Sequence, residues 1–202
     1  VTFGTGLEPT EVWPSLLTQD HLNLSVAGLG IDGIYLNLLN GLKKFNWRTT
    51  VIVLPNWERK ILRFHLPSGE VTRVPTTLTG EWAHNHFKNW AWKTFNRQLS
   101  EKDRQRWKKI YQSNFQSLVN GKVEDYSKKA LGMIVDLCEK ADRPLYLTSW
   151  DQDTYDSLGS FIDSNRILPF FERVDEARDL AHHGPESHRK WADLSRSSLL
   201  KH

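Results

Sequence analysis

Apolar positions along the chain alternate between continuous short runs and wider stripes, a pattern that predicts strands and helices in turn. Val12, Trp13, Leu16 and Leu17 mark a short helix capped by Thr10, with Pro14 tolerated in its first turn. His21 to Val26 reads as a short strand, and Gly28 to Gly33 turns the chain into a helix striped with Ile34, Leu38, Leu39 and Leu42. Thr49 to Leu54 is continuous and β-branched, as expected of a strand covered on both faces. Lys60 to Val74 reads as a hairpin whose arms meet at Pro67-Ser68-Gly69. The aromatic stretch Glu81 to Arg97 is expected to be helical. Ser100 then caps a helix carrying Trp107, Tyr111 and Phe115, which Asn120-Gly121 ends. A further helix runs from Lys122 to about Ala141, and Pro144 to Trp150 forms a second buried strand. A helix near Tyr155 to Ile162, a last short strand from Ile167 to Phe171, and a loop and helix over Gly184 to Leu200 complete the chain.

Strands alternating with helices predict an α/β fold, a three-layer α/β/α arrangement around a mostly parallel sheet. The expectation is a single domain over residues 1–202, with the hairpin and aromatic helical region inserted at about 58–109. A sheet of this kind needs a central first strand, which the pattern puts upstream of Val1.

Composition narrows the function classes. At 202 residues, 39% hydrophobic and 25% charged, the chain can bury a full core. A net charge of +3 is too small to argue for nucleic acid by itself. The nine tryptophans are expected in the core or in pocket walls. A lone Cys138 rules out an intrachain disulfide. No run approaches the roughly 20 apolar residues of a membrane span, and no signal peptide is evident, so a cytoplasmic site or a place in a larger particle is expected. Lys88 to Lys109 sets eight basic residues against Glu101 and Asp103, interleaved with Trp90, Trp92, Phe95 and Trp107. Such a stretch could bind single-stranded nucleic acid or line a ligand cleft. The favoured reading is a pair of amphipathic helices with aromatics inward.

The candidate chemistry lies in the C-terminal stretch Asp179-Leu180-Ala181-His182-His183-Gly184-Pro185. An aspartate three residues before a histidine can meet it across one turn, hold its Nδ1–H and leave the other nitrogen free for a hydroxyl proton. Gly184-Pro185 forces a turn, so the pair sits on a loop before a helix, where catalytic groups commonly reside. Gly28, where Asn23 to Ala27 runs into a glycine turn, and Asn56, after Val51 to Pro55, are candidate oxyanion donors at strand ends.

In order and kind these pieces resemble the SGNH (GDSL-like) hydrolase superfamily, in its bacterial or phage-type members. Gly28 resembles the second-block glycine and Asn56 the third-block asparagine, although Leu54-Pro55-Asn56-Trp57 departs from the usual G-x-N-D. Asp179 and His182 resemble the final D-x-x-H, and the following G-P-E-S-H-R-K-W-A is similar too. Thr2-Phe3-Gly4-Thr5-Gly6-Leu7 resembles the segment just after the nucleophile turn, which would put the serine immediately before Val1. The resemblance covers most of the chain outside Lys60 to Lys109. It implies a serine ester hydrolase, possessing no cofactor, that acts on an ester such as an acetylated glycan. The alternative is an inactive relative serving as a structural or binding component of a larger assembly, of a phage for example.

Two other patterns compete. Gly28-Leu29-Gly30-Ile31-Asp32-Gly33 matches the dinucleotide fingerprint, yet Asp32 puts a negative charge where phosphates would sit. Asp179, His182, His183 and His188 are potential metal ligands without a recognised spacing, and His188 is expected at the surface of its helix. His84 and His86 point apart if their segment is helical.

Overall fold

The computed structural model describes residues 4, 6–25, 29–57, 59–65, 71–77, 101, 102, 105, 123–180 and 182–199, with the hairpin arms beyond Arg59 described as backbone. The elements are α1 (Trp13–Leu17), α2 (Ile31–Leu42), β1 (Thr50–Leu54), β2 (Arg59–His65), β3 (Val71–Thr77), α3 (Val123–Lys140), β4 (Leu145–Ser149), α4 (Gln152–Asp156) and α5 (Pro185–Leu199). The chain is therefore a mixed α/β fold. β1 and β4 pair in parallel, from Thr50 opposite Leu145 to Leu54 opposite Ser149. β2 and β3 form an antiparallel hairpin, with Arg59 opposite Thr77 and His65 opposite Val71.

Strand alternation divides the core in two. Ile52, Leu54, Leu145 and Leu147 pack with Ile31 and Leu38 of α2 and Leu131, Ile134 and Cys138 of α3. Val53 and Tyr146 point the other way, toward Trp13 of α1, Phe171, and Trp191 and Ala192 of α5. The apolar spacing of α3 (Ala130, Leu131, Ile134, Cys138) is the i, i+4 stripe of a helix with one buried face. Trp13, Trp57 and Trp191 are core residues, as expected of large aromatics, with Trp13 edge-on to Trp191 at 5.0 Å.

The structure corrects several expectations. Residues 21–25 form no strand. Asn23 instead accepts bonds from the Ser25 backbone N–H and hydroxyl, a side-chain turn that competes with ladder pairing. Thr10 caps nothing; it lies inside a 3-10 turn, Pro9–Glu11, where Glu11 accepts from the Glu8 N–H at 2.8 Å. The helix expected near 155–162 starts earlier, because the Asp151 side chain accepts from the Thr154 N–H. It gives way after Asp156 to a 3-10 turn, Leu158–Ser160. Ile167 to Phe171 is not a full strand. It follows β4 through a parallel bridge at Leu147 and bonds from Leu168 N–H to Leu147 O and Phe171 N–H to Ser149 O. Pro169 has no N–H to continue the ladder, and its carbonyl accepts from Thr148 Oγ1 and Trp191 Nε1 instead. The hairpin reaches Thr77, three residues past its expected end. Its expected turn, the Ser100 cap, His84, His86, and most of the aromatic basic stretch lie outside the described residues.

Candidate active site

Three chain segments leave the carboxyl end of the parallel strands. After β1 come Pro55 and Asn56, and the Asn56 carbonyl accepts from the Arg59 N–H at 3.2 Å. After β4 comes Trp150. The third segment leaves Phe171, whose N–H is bonded to Ser149 O, and forms the loop that returns to α5.

That loop is closed by short bonds. Ala177 N–H donates to His182 O at 2.9 Å and Gly184 N–H to Asp175 O at 3.1 Å. Leu180, with φ of 57°, occupies the left-handed region, which tightens the turn between Asp179 and His182. The Asp179 carboxylate thereby meets His182 at two atoms. Oδ1 accepts from the His182 backbone N–H at 3.1 Å, and Oδ2 lies 2.5 Å from His182 Nδ1. The His182 side chain is 41% exposed, so its ring remains open to a small molecule, and its Nε2 makes no hydrogen bond among the described residues. A carboxylate on Nδ1 fixes the tautomer that leaves Nε2 as a proton acceptor. The sequence spacing alone had predicted this pairing.

The N-terminal segment is pressed against the same loop. Arg178 N–H donates to Gly6 O at 3.3 Å, and the Arg178 guanidinium forks onto Glu11 at 2.8 and 3.0 Å. That side-chain bond from Arg178 holds the Glu11 carboxyl below its ordinary range. Gly6 has φ of 78°, and a Cβ there would sit 3.1 Å from both Asp179 Cγ and Ala177 Cβ. A glycine is thus required where the N-terminal strand of chain crosses the acidic partner of His182.

The loop's far end is held by Asp175. Its carboxylate accepts from Glu186 N–H at 2.9 Å, Ser187 N–H at 2.7 Å and Ser187 Oγ at 2.5 Å, capping the start of α5 from outside the helix. Burial raises the Asp175 pKa, but the Ser187 and Glu186 bonds outweigh it and hold the carboxyl below its ordinary range. No sequence pattern pointed to Asp175, because the cap comes from eleven residues upstream.

Among the described residues no hydrogen bond joins the other candidates to the Asp179–His182 pair. Asn56 is half-buried at the end of β1, with its Oδ1 buried and unbonded among the described residues, and it makes no bond to the Asp179–His182 pair. Gly28 lies outside the described residues. Asp32 bonds its own helix start, Gly33 N–H to Oδ1 at 2.9 Å, occupying the position a dinucleotide phosphate would need. Among the described residues no group of three or more His, Cys, Asp or Glu side chains gathers as a metal site. His188 is not at the surface. It is 1% exposed, its Nδ1 accepts from Trp13 N–H at 3.1 Å, and its Nε2 is buried without a hydrogen-bond partner among the described residues. Its helical neighbours at i+3, i+4 and i+7, Trp191, Ala192 and Ser195, are also buried, so it belongs to the inner face of α5. His183 is buried too, with Nε2 3.3 Å from Phe171 O. Phe171 stands between the two rings, at 5.1 Å from His183 and 5.2 Å from His188. Burial pushes the imidazole of His183 down to about 4 and that of His188 down to about 3.

No family model matches this chain, and neither a curated protein nor a solved structure resembles it significantly.

Proposed function

We propose that this chain belongs to a serine ester hydrolase of the SGNH kind, with a three-layer α/β/α arrangement and an inserted hairpin. The observation that carries the reading is the Asp179–His182 pair, with Nδ1 held and Nε2 open, on a loop leaving the carboxyl end of parallel strands. Gly6 against Asp179 adds support, since the segment that would follow the nucleophile then runs beside the acid–base pair.

In this mechanism a serine preceding Val1 attacks the ester carbonyl carbon while His182 Nε2 takes its hydroxyl proton. Asp179 stabilises the resulting imidazolium. The tetrahedral oxyanion is met by the Gly28 N–H, the Asn56 amide and the serine's own N–H. Collapse breaks the ester C–O bond, and the departing alkoxide takes the proton from His182. Water, deprotonated by the same nitrogen, then releases the acid and restores the serine. The substrate class is an ester, an acetylated glycan being one form. The test is hydrolysis of p-nitrophenyl acetate by the natively expressed polypeptide. His182→Ala should lower kcat/KM by about 10³-fold or more with the fold intact. An unchanged rate removes the assignment and favours a binding or scaffold role.

A further inference from the structure

Arg59, the first residue of β2, sits at the same end of the strands as the proposed catalytic loop. Its guanidinium carbon lies 6.0 Å from the centroid of the Trp150 ring. The side chain is half-buried, yet it makes no ion pair and no hydrogen bond among the described residues. Burial pushes its pKa down, and among the described residues no partner offsets that effect. A guanidinium carries five N–H donors in one plane, and stacking on an aromatic satisfies none of them. Arginines removed from water ordinarily find a carboxylate. Among the described residues the flat indole of Trp150 is the contact this guanidinium makes, and none of its N–H donors is taken up.

We infer that Arg59, backed by Trp150, binds a carboxylate carried by the substrate, which deepens the hydrolase reading and depends on it for the word substrate. The surroundings support this location. Arg59 N–H is bonded to the Asn56 carbonyl, and the Arg59 carbonyl lies so close to Gly30 that any side chain there would collide with it. Trp150 packs on the cluster containing Phe171, whose ring touches His183, the neighbour of His182. The start of α2 is not the competing anion site, since Asp32 already occupies it. One guanidinium also matches a monoanion better than a phosphate monoester, which would keep a charge uncompensated.

The experiment is a ligand-observed NMR titration of the natively expressed full-length polypeptide carrying His182→Ala, so that turnover does not deplete the probe. Monomethyl succinate presents an ester and a carboxylate; dimethyl succinate has the same skeleton without the charge. The monoester should bind at least about tenfold more tightly, the difference expected of a charge-assisted fork. Arg59→Gln should abolish that preference, and Arg59→Lys should retain only part of it. Trp150→Leu, which keeps the cation, should weaken it. Equal binding of the two esters, or a preference that survives Arg59→Gln, overturns the inference. A preference lost in Arg59→Gln, together with no turnover of any ester by the wild-type chain, supports the anion site and removes the hydrolase reading alone.

Discussion

Acidification from pH 7.5 to 5 should strip this fold of about 4 kcal/mol of stability, through the two buried histidines. His183 and His188 are held neutral in the folded chain, with pKa values pushed down to about 4 and about 3 by burial. In the unfolded chain each returns to about 6.5. Folded values below the unfolded one mean that the unfolded state gains protons first, so stability is fully present above about 6.5 and falls as pH drops toward the folded values. At pH 5 each unfolded imidazole is almost fully charged while each folded one is almost fully neutral, which gives about 2 kcal/mol per histidine. That size does not depend on whether the folded value is nearer 3 or 4. Asp175 and Glu11, whose carboxyls are held low, lose their contribution only below this window. Urea unfolding followed by tryptophan fluorescence would read the effect as a fall in midpoint of about 2 M for a slope of about 2 kcal/mol/M. His188→Asn, whose amide oxygen can accept the Trp13 N–H, should halve the fall. A midpoint constant between pH 7.5 and 5, or a His188→Asn variant with undiminished pH dependence, would refute the reasoning.

Further outcomes follow from the loop. Gly6→Ala forces a Cβ against Asp179 at a positive φ and should cost about 1–3 kcal/mol, read by thermal melting, with ester turnover lowered as well. Ser187→Ala removes a hydroxyl bonded to Asp175 and reached by the Val174 N–H at 3.0 Å, and should cost about 1–2 kcal/mol in urea unfolding. Leu180→Gly, at an exposed left-handed position, should leave stability equal or higher by up to about 1 kcal/mol, read by thermal melting. On the hydrolase reading, Asp179→Asn should lower kcat by several orders of magnitude while the fold persists, because the amide no longer dictates the tautomer.

Some of this was legible in the residues. The β-branched run at Thr50–Leu54 and the apolar Leu145–Ser149 declare two buried strands, and the Asp179-x-x-His182 spacing declares the pair, because each is decided by a few consecutive side chains. The hairpin declared itself by its turn residues in the same way. What stayed hidden depends on distant partners. Asp175 caps α5 across a loop, Arg178 ties the pair's loop to Glu11, and Arg59 meets Trp150 only through the fold. Residues 21–25 misled because their apolar alternation suits a strand, whereas Asn23 binds its own backbone neighbourhood first. The burial of His188 was readable in part, from its place on one helical stripe with Trp191, Ala192 and Ser195, but histidine's polarity argued the other way.

The most direct test of the central claim is reaction of the natively expressed polypeptide with a fluorophosphonate probe, followed by peptide mass spectrometry. The hydrolase account predicts covalent labelling of one serine in the segment leading into Val1, lost or strongly slowed in His182→Ala. No labelling in a polypeptide that contains that segment, or labelling indifferent to His182, would contradict it.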